Sequence, residues 1–384
     1  MVERTLQTLD TMVGFDTVSS KSNLALIDWA ADLLEASGAR LRRTFDDTGE
    51  KANLLASFGP AAPGGIVLSG HTDVVPVANQ NWSTDPFTLT RKGERVQARG
   101  TTDMKGFCAA AIAAVTAADL SGLKRPIHVA LSYDEEVGCL GVPRLVDDLV
   151  ANEPLPAVAI VGEPTEMRIV TAHKSANVFE TVFEGFAAHS SQSHIGVSAT
   201  VALARFIEHL RVQFAAFKAN PDPSSALEPP YPTFNAGVVT GGTALNIIPS
   251  EARMIWEFRT MPDQDPQAML QDFLAVVDAE IVPEMSNEHA TLASRTQCLA
   301  MVPALDPANN RSARKAVMAL GDYDGDDAVS FGTEAGSFQG AGIETVVCGP
   351  GSITIAHQPD ESIAIDQLAA ATRLVDDVIA AAKA

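Results

Sequence analysis

Apolar residues at Leu24, Ile27, Trp29, Ala30, Leu33 and Leu34 recur at helical spacing over residues 24–37, and Ala36-Ser37-Gly38 supplies a stop. Strand-like runs follow at residues 53–58, 66–69, 127–132 and 158–161, with an alanine-rich helix over 104–118 between the second and third. This alternation predicts an α/β domain with a mostly parallel central sheet, covered by helices on both faces. After about Ser175 the pattern changes. Residues 178–184 alternate as a strand, and 197–218 read as a helix with Leu203, Phe206, Leu210, Phe214 and Phe217 on one side. A proline-rich loop then separates strands over 233–240 and 251–259. In the second of these, Met254, Trp256 and Phe258 share one face. Residues 266–281 read as another helix, and 366–383 as the closing one. The middle segment is expected to be an inserted α+β unit.

A chain of 384 residues exceeds the size at which one core stops growing. Two domains are expected: a discontinuous one from residues 1–175 and 288–384, and an inserted one from 176–287. Hydrophobic content of 46% with 20% charged residues suits a folded globular protein. The formal charge of -21 argues against nucleic acid or an anionic membrane as partner, since both need clustered cations. Cys108, Cys139, Cys298 and Cys348 are scattered and form no C-x-x-C, so neither a disulfide framework nor a zinc finger is indicated. No apolar run reaches the ~18 residues of a membrane span, and the start carries no signal-peptide pattern. A cytoplasmic address is the expectation.

Candidate chemistry gathers at strand ends. Gly70-His71-Thr72-Asp73 stands where an apolar run stops, and in an extended segment residues i and i+2 share a side. Asp73 is therefore expected to accept the second N–H of His71 and to fix the tautomer that presents the other nitrogen to a metal. Asp103 directly precedes a helix, Glu135-Glu136 follows a strand, Glu163 ends one, and His357 follows the turn Gly349-Pro350-Gly351. Each has a plainer reading: Asp103 as a helix cap, Glu135-Glu136 as solvated charge, Glu163 and His357 as loop polar residues. All would have to hold together, at the sheet edge where α/β proteins build their sites. Two histidines and three carboxylates without a thiolate suit two divalent ions, zinc first and cobalt or manganese next. One bridging carboxylate would leave open positions, as in catalytic and not structural centres.

At this point the sequence resembles the M20 metallopeptidase family, and within it the acetylornithine deacetylase and succinyl-diaminopimelate desuccinylase group. The motifs are Ser69-Gly70-His71-Thr72-Asp73-Val74-Val75-Pro76, Arg99-Gly100-Thr101-Thr102-Asp103-Met104-Lys105-Gly106, Asp134-Glu135-Glu136-Val137-Gly138 and Gly162-Glu163-Pro164-Thr165. The resemblance implies a zinc-peptidase-like catalytic domain with an inserted lid and dimerisation domain. It assigns one ion to His71, Asp103 and Glu163, and the other to Asp103, Glu136 and His357. Glu135 becomes the general base toward a water held between the ions, with Asp73 orienting His71. His189 becomes an oxyanion donor brought by the inserted domain of a second subunit, which implies a homodimer and a closing motion. Ser175, Ser193 and Ser198 depart from the family's usual residues around that lid. Gly332-Thr333-Glu334-Ala335-Gly336 and Val346-Val347-Cys348-Gly349-Pro350-Gly351 look like the acetylornithine deacetylase branch. The implied substrate is N2-acetyl-L-ornithine, giving ornithine and acetate for arginine biosynthesis. Arg259 is expected to take the α-carboxylate, Asn246 to hydrogen-bond near the scissile group and Glu334 to take the δ-ammonium. Acetylcitrulline, succinyl-diaminopimelate and metal binding without catalysis are the alternatives.

Overall fold

The strand-like runs pair into an eight-stranded sheet in the computed structural model, which describes residues 2–384. Its order is Arg40–Phe45, Ala52–Phe58, Ile127–Ser132, Ile66–His71, Val158–Pro164, Glu344–Gly349, Val170–His173 and Asp327–Val329. The sheet is mixed. The four strands from Ile127–Ser132 to Glu344–Gly349 run parallel, while Ala52–Phe58 and Val170–His173 join them antiparallel on either side. In this register His71 stands opposite Ser132 and Ser69 opposite Val161, so the carboxyl ends of three strands form a common edge. His71, Glu135, Glu136 and Glu163 lie at or just beyond that edge.

Chain contacts divide the molecule into two compact units: the chain up to Ala172 with Leu305–Ala328 and Thr333–Ala384, and His173–Ala304 with Val329–Gly332. In the first, helices Val2–Val13, Lys105–Ala117 and Ile365–Lys383 pack together and share a buried cluster with Leu54, Leu68, Val129 and Ile160 of the sheet. Helices Val142–Asn152 and Ala335–Gly340 contact the sheet separately. Helix Lys105–Ala117 is buried from Lys105 through Val115, which explains its run of alanines: small side chains let neighbours approach from every direction. A Cβ on Gly162 would lie 1.9 Å from the Phe107 ring, so only glycine admits this helix against the strand carrying Glu163. The Lys105 ammonium is fully buried and donates to the carbonyls of Met12 (3.1 Å), in the last turn of the first helix, and Phe15 (2.9 Å), just past it.

The second unit is a four-stranded antiparallel sheet in the order Thr233–Gly241, Glu251–Arg259, Ala176–Glu184 and Ala293–Val302. Helices Ala199–Ala219 and Pro266–Val276 contribute to its core. Ala252, Met254, Trp256 and Phe258 are buried from alternate positions of one strand, as their spacing predicts. Trp256 meets Phe206 edge to face at 5.7 Å and donates its indole N–H to Thr181 at 2.9 Å. This unit runs on to Ala304, past the expected boundary at 287, because Ala293–Val302 pairs along Ala176–Glu184 as a fourth strand.

Candidate metal centre

Just past the strand end, the main chain of Asp73 fixes the orientation of His71. Its Nδ1 lies 2.9 Å from the main-chain oxygen of Asp73, which can only accept, so Nδ1 carries the proton. The Asp73 carboxylate is 3.6 Å from Nδ1, and its hydrogen bonds go elsewhere: it accepts from Glu135 N (3.1 Å), Glu136 N (3.3 Å) and Ser19 Oγ (2.7 Å). The carboxylate thus stands beside the imidazole as expected, with the main-chain carbonyl the nearer acceptor of its N–H. Beyond His71 the chain leaves the strand, and the carbonyl turns back toward the ring.

The other nitrogen of His71, Nε2, faces Asp103 Oδ1 at 3.0 Å and Glu163 Oε1 at 3.7 Å. His357 Nε2 faces Asp103 Oδ2 at 3.0 Å and Glu136 Oε2 at 3.1 Å. Asp103 thus turns one oxygen to each histidine. It does not cap the helix, which begins at Lys105 with Met104 in the capping position. Ligand-type atoms of His71, Glu135 and Glu163 lie within 4.8 Å of one another, as do those of His71, Asp103 and Glu136.

Four carboxylates so close together are held apart in protonation. Against the opposing effect of burial, hydrogen bonds from His357 and His71 keep the Asp103 carboxyl well below the usual range. Burial, then the Asp103 charge, pushes Glu136 up to about 7 and Glu163 well above its ordinary value. Glu135 rises through burial and the charges of Glu136 and Asp103, opposed by His71. His357 is raised to about 10 by its bonds to Asp103 and Glu136. Such a cluster demands positive charge, as protons or as cations. Glu136 Oε1 is buried and has no hydrogen-bond partner. An orphaned carboxylate oxygen among imidazole nitrogens is a ready metal donor, so the residues fit divalent ions.

Glu334 is placed differently from expectation. It is fully buried, accepting from the hydroxyls of Ser69 (3.2 Å) and Ser132. Burial raises its carboxyl, against hydrogen bonding from Ser132. Both oxygens are engaged inside the protein, so the δ-ammonium role is withdrawn. Sequence reading missed Ser19, Ser69 and Ser132, because each acts through a contact remote in the chain.

The remaining candidates belong to the second unit. His189 and Ile247 form a bridge, and Ser190 N donates to Asn246 O at 2.9 Å, so the segments carrying His189 and Asn246 run side by side. His189 is exposed. Its Nδ1 accepts from Ser191 N at 3.2 Å, which leaves the proton on Nε2 as a free donor. Arg259 is partly exposed, between Glu257 Oε2 (3.1 Å) and Ser330 O (3.4 Å).

The profile of peptidase family M20/M25/M40 matches residues 67–381. The chain belongs to this family. Among curated relatives, acetylornithine deacetylase of Myxococcus xanthus is 37% identical over 94% of this chain and 93% of its own length. The enzyme of the same name from Proteus mirabilis is 34% identical over 91% and 87%. An M20 metallo-carboxypeptidase from Sulfolobus solfataricus shares the fold with a TM-score of 0.73 at 18% identity, covering 99% of both chains. A Bacillus subtilis M20 peptidase described as dinuclear metal-binding superposes with a TM-score of 0.69 at 14% identity, covering 98% of this chain and 97% of its own. Membership of M20 makes this chain a hydrolase acting on an amide bond. Among the described residues, no helix is long and apolar enough to cross a membrane.

Proposed function

We propose that this M20 hydrolase removes the acetyl group from N2-acetyl-L-ornithine, using two divalent ions, zinc in the first instance. The observation that carries the dinuclear reading is Asp103, whose two oxygens each stand 3.0 Å from a different histidine nitrogen. His71 and Glu163 would complete one ion's set, and His357 and Glu136 the other. The substrate reading draws on relatives named acetylornithine deacetylase that match nearly end to end.

When bound, the ions polarise the acyl oxygen and make water acidic enough to ionise near neutral pH. Glu135 receives the proton of the attacking water. As the oxygen bonds to the acyl carbon and the C–N bond breaks, Glu135 delivers that proton to the leaving nitrogen, so acetate and a free amine result. Asp73 keeps Glu135 and Glu136 in register through their main-chain N–H groups. His189, with its donor Nε2–H, would stabilise the developing oxyanion. It would be supplied by a second copy of the chain, in a homodimer formed through residues 176–287. Arg259 would pair with the α-carboxylate, and Asn246 would add a hydrogen bond beside the scissile group.

The test is zinc-reconstituted protein assayed in parallel on acetylornithine, acetylcitrulline and succinyl-diaminopimelate. Preference for acetylornithine supports the reading. Preference for either of the others moves the substrate within the class, and hydrolysis of none overturns the reading.

A further inference from the structure

Beside Asp103 lies a buried ion pair. Arg99 is 1% exposed and Glu361 1% exposed, and Arg99 Nη1 meets Glu361 Oε2 at 2.7 Å. Each Glu361 oxygen has a second task. Oε1 accepts from Thr102 N (2.8 Å) and Asp103 N (3.1 Å), and Oε2 accepts from Gly100 N (3.2 Å) besides Arg99. One carboxylate therefore grips three main-chain amides of the loop that carries Asp103. Arg99 reaches the other way. Its Nη2 donates to Gln80 Oε1 at 2.6 Å, Gln80 Nε2 donates to the carbonyl of His357 at 3.0 Å, and Nη1 also reaches the carbonyl of Gln358 at 3.3 Å. The face of Trp82 covers the guanidinium at 4.9 Å.

The geometry points to Arg99, Glu361 and Gln80 as positioning residues, a clamp that locks the loop bearing Asp103 to the loop bearing His357 and so preassembles one of the two ion sites. The inference rests on the dinuclear reading above. Fold stability alone accounts poorly for the pair, because apolar side chains of similar volume usually serve a core at least as well as a buried ion pair. An apolar residue at position 361 could not satisfy the amides of Gly100, Thr102 and Asp103. Asp73 offers a parallel: a carboxylate that also holds two successive amides, those of Glu135 and Glu136. The clamp differs in reach. Glu361 is four residues beyond His357 and is hydrogen-bonded to the Asp103 amide, so a shift of this one side chain moves two ligand segments at once.

Glu361→Asp tests the clamp, since it keeps the charge and a partner for Arg99 but withdraws the carboxylate by about 1.5 Å. Gln80→Leu is the second variant: it cuts the link to His357 and removes the acceptor shared by Arg99 Nη2 and the Trp82 indole, while leaving the Arg99–Glu361 pair in place. Metal-free protein is titrated with zinc by calorimetry against a competing chelator, and its thermal midpoint is measured separately. Wild type is expected to take up two ions. In Glu361→Asp one ion should bind about 10- to 100-fold more weakly, the usual cost of losing a partner behind a ligand. The other, which shares Asp103 but not His357, should weaken clearly less, since sites with a common ligand couple. Gln80→Leu should weaken the same ion, and excess zinc should restore turnover in both variants. Unchanged zinc affinities with a lowered metal-free midpoint would make the pair merely structural and overturn the inference. Equal weakening of both ions overturns it as well. A wild-type chain that takes up fewer than two ions overturns the dinuclear reading and the clamp together.

Discussion

In the proposed mechanism, Glu135 carries the chemistry and Asp73 the alignment within one corner of the site. Replacing Glu135 with Gln removes the proton acceptor but keeps the side chain's size, so kcat should fall by about 10²- to 10⁴-fold. Zinc content, read by elemental analysis, should not change. A parallel loss of zinc would make Glu135 a ligand, a role its closeness to His71 and Glu163 permits. Asp73→Ala frees the amides of Glu135 and Glu136, and kcat should drop steeply with KM little altered and most zinc retained. A remote residue gives the pH prediction. His128 is fully buried, with Ser57 Oγ 2.8 Å from Nδ1, no partner on Nε2, and an imidazole that burial pulls down to about 4. Its folded value lies below the unfolded one of about 6.5, so the proton-linked cost of burying it is absent above pH 6.5. Stability is lost as pH falls from there toward 4, at about 1.4 kcal/mol per pH unit. Urea midpoints of His128→Gln should therefore fall less steeply than wild type between pH 6.5 and 5. His71, Asp103, Glu135, Glu136, Glu163 and His357 were legible because strand ends and turns expose chemistry in the local sequence. Glu334 was not, because what occupies it is Ser132, 202 residues away. The Asp73 carboxylate likewise finds its amides 62 and 63 residues on.

At the level of elements, the strand ending at Glu163 and the helix Lys105–Ala117 depend on one contact. Gly162→Ala would drive a methyl group into the Phe107 ring, where the closest ring atom is 1.9 Å from the Cβ position. Overpacking of this kind costs about 1–3 kcal/mol or more. Adding Phe107→Ala should recover part of the loss relative to the sum of the two single changes, and chemical denaturation of the set would expose that coupling. Additive losses would mean the strand and helix adjust independently. Sequence patterning found elements whose faces differ: Glu251–Arg259 alternates and was read with its bounds intact. It missed Ala293–Val302, whose Ser-Arg-Thr-Gln-Cys stretch leaves most of one strand exposed and offers no alternation to read. The edge strand Arg40–Phe45 was missed for the same reason, with two adjacent arginines and no buried position.

For the whole molecule, the centre is a crossing point of distant segments. Ions that bind the folded chain and not the unfolded one should stabilise it by about 2.7 kcal/mol at 100 times their dissociation constant. Chelation should therefore lower the melting temperature, and zinc should restore it; equal melting with and without chelator would count against ions at this site. A wider consequence follows from Lys105. Its ammonium donates to the carbonyls of Met12 and Phe15, and it stands two residues from Asp103. The segment that the family profile matches begins at residue 67, so a protein trimmed to the recognised homology would lose those carbonyls. It would also lose Ala52–Phe58, the neighbour that covers the edge of Ile127–Ser132. Anyone shortening this hydrolase from its amino terminus would take away the partners of Lys105 and of the strand Ile127–Ser132 while every candidate metal residue remained in the sequence.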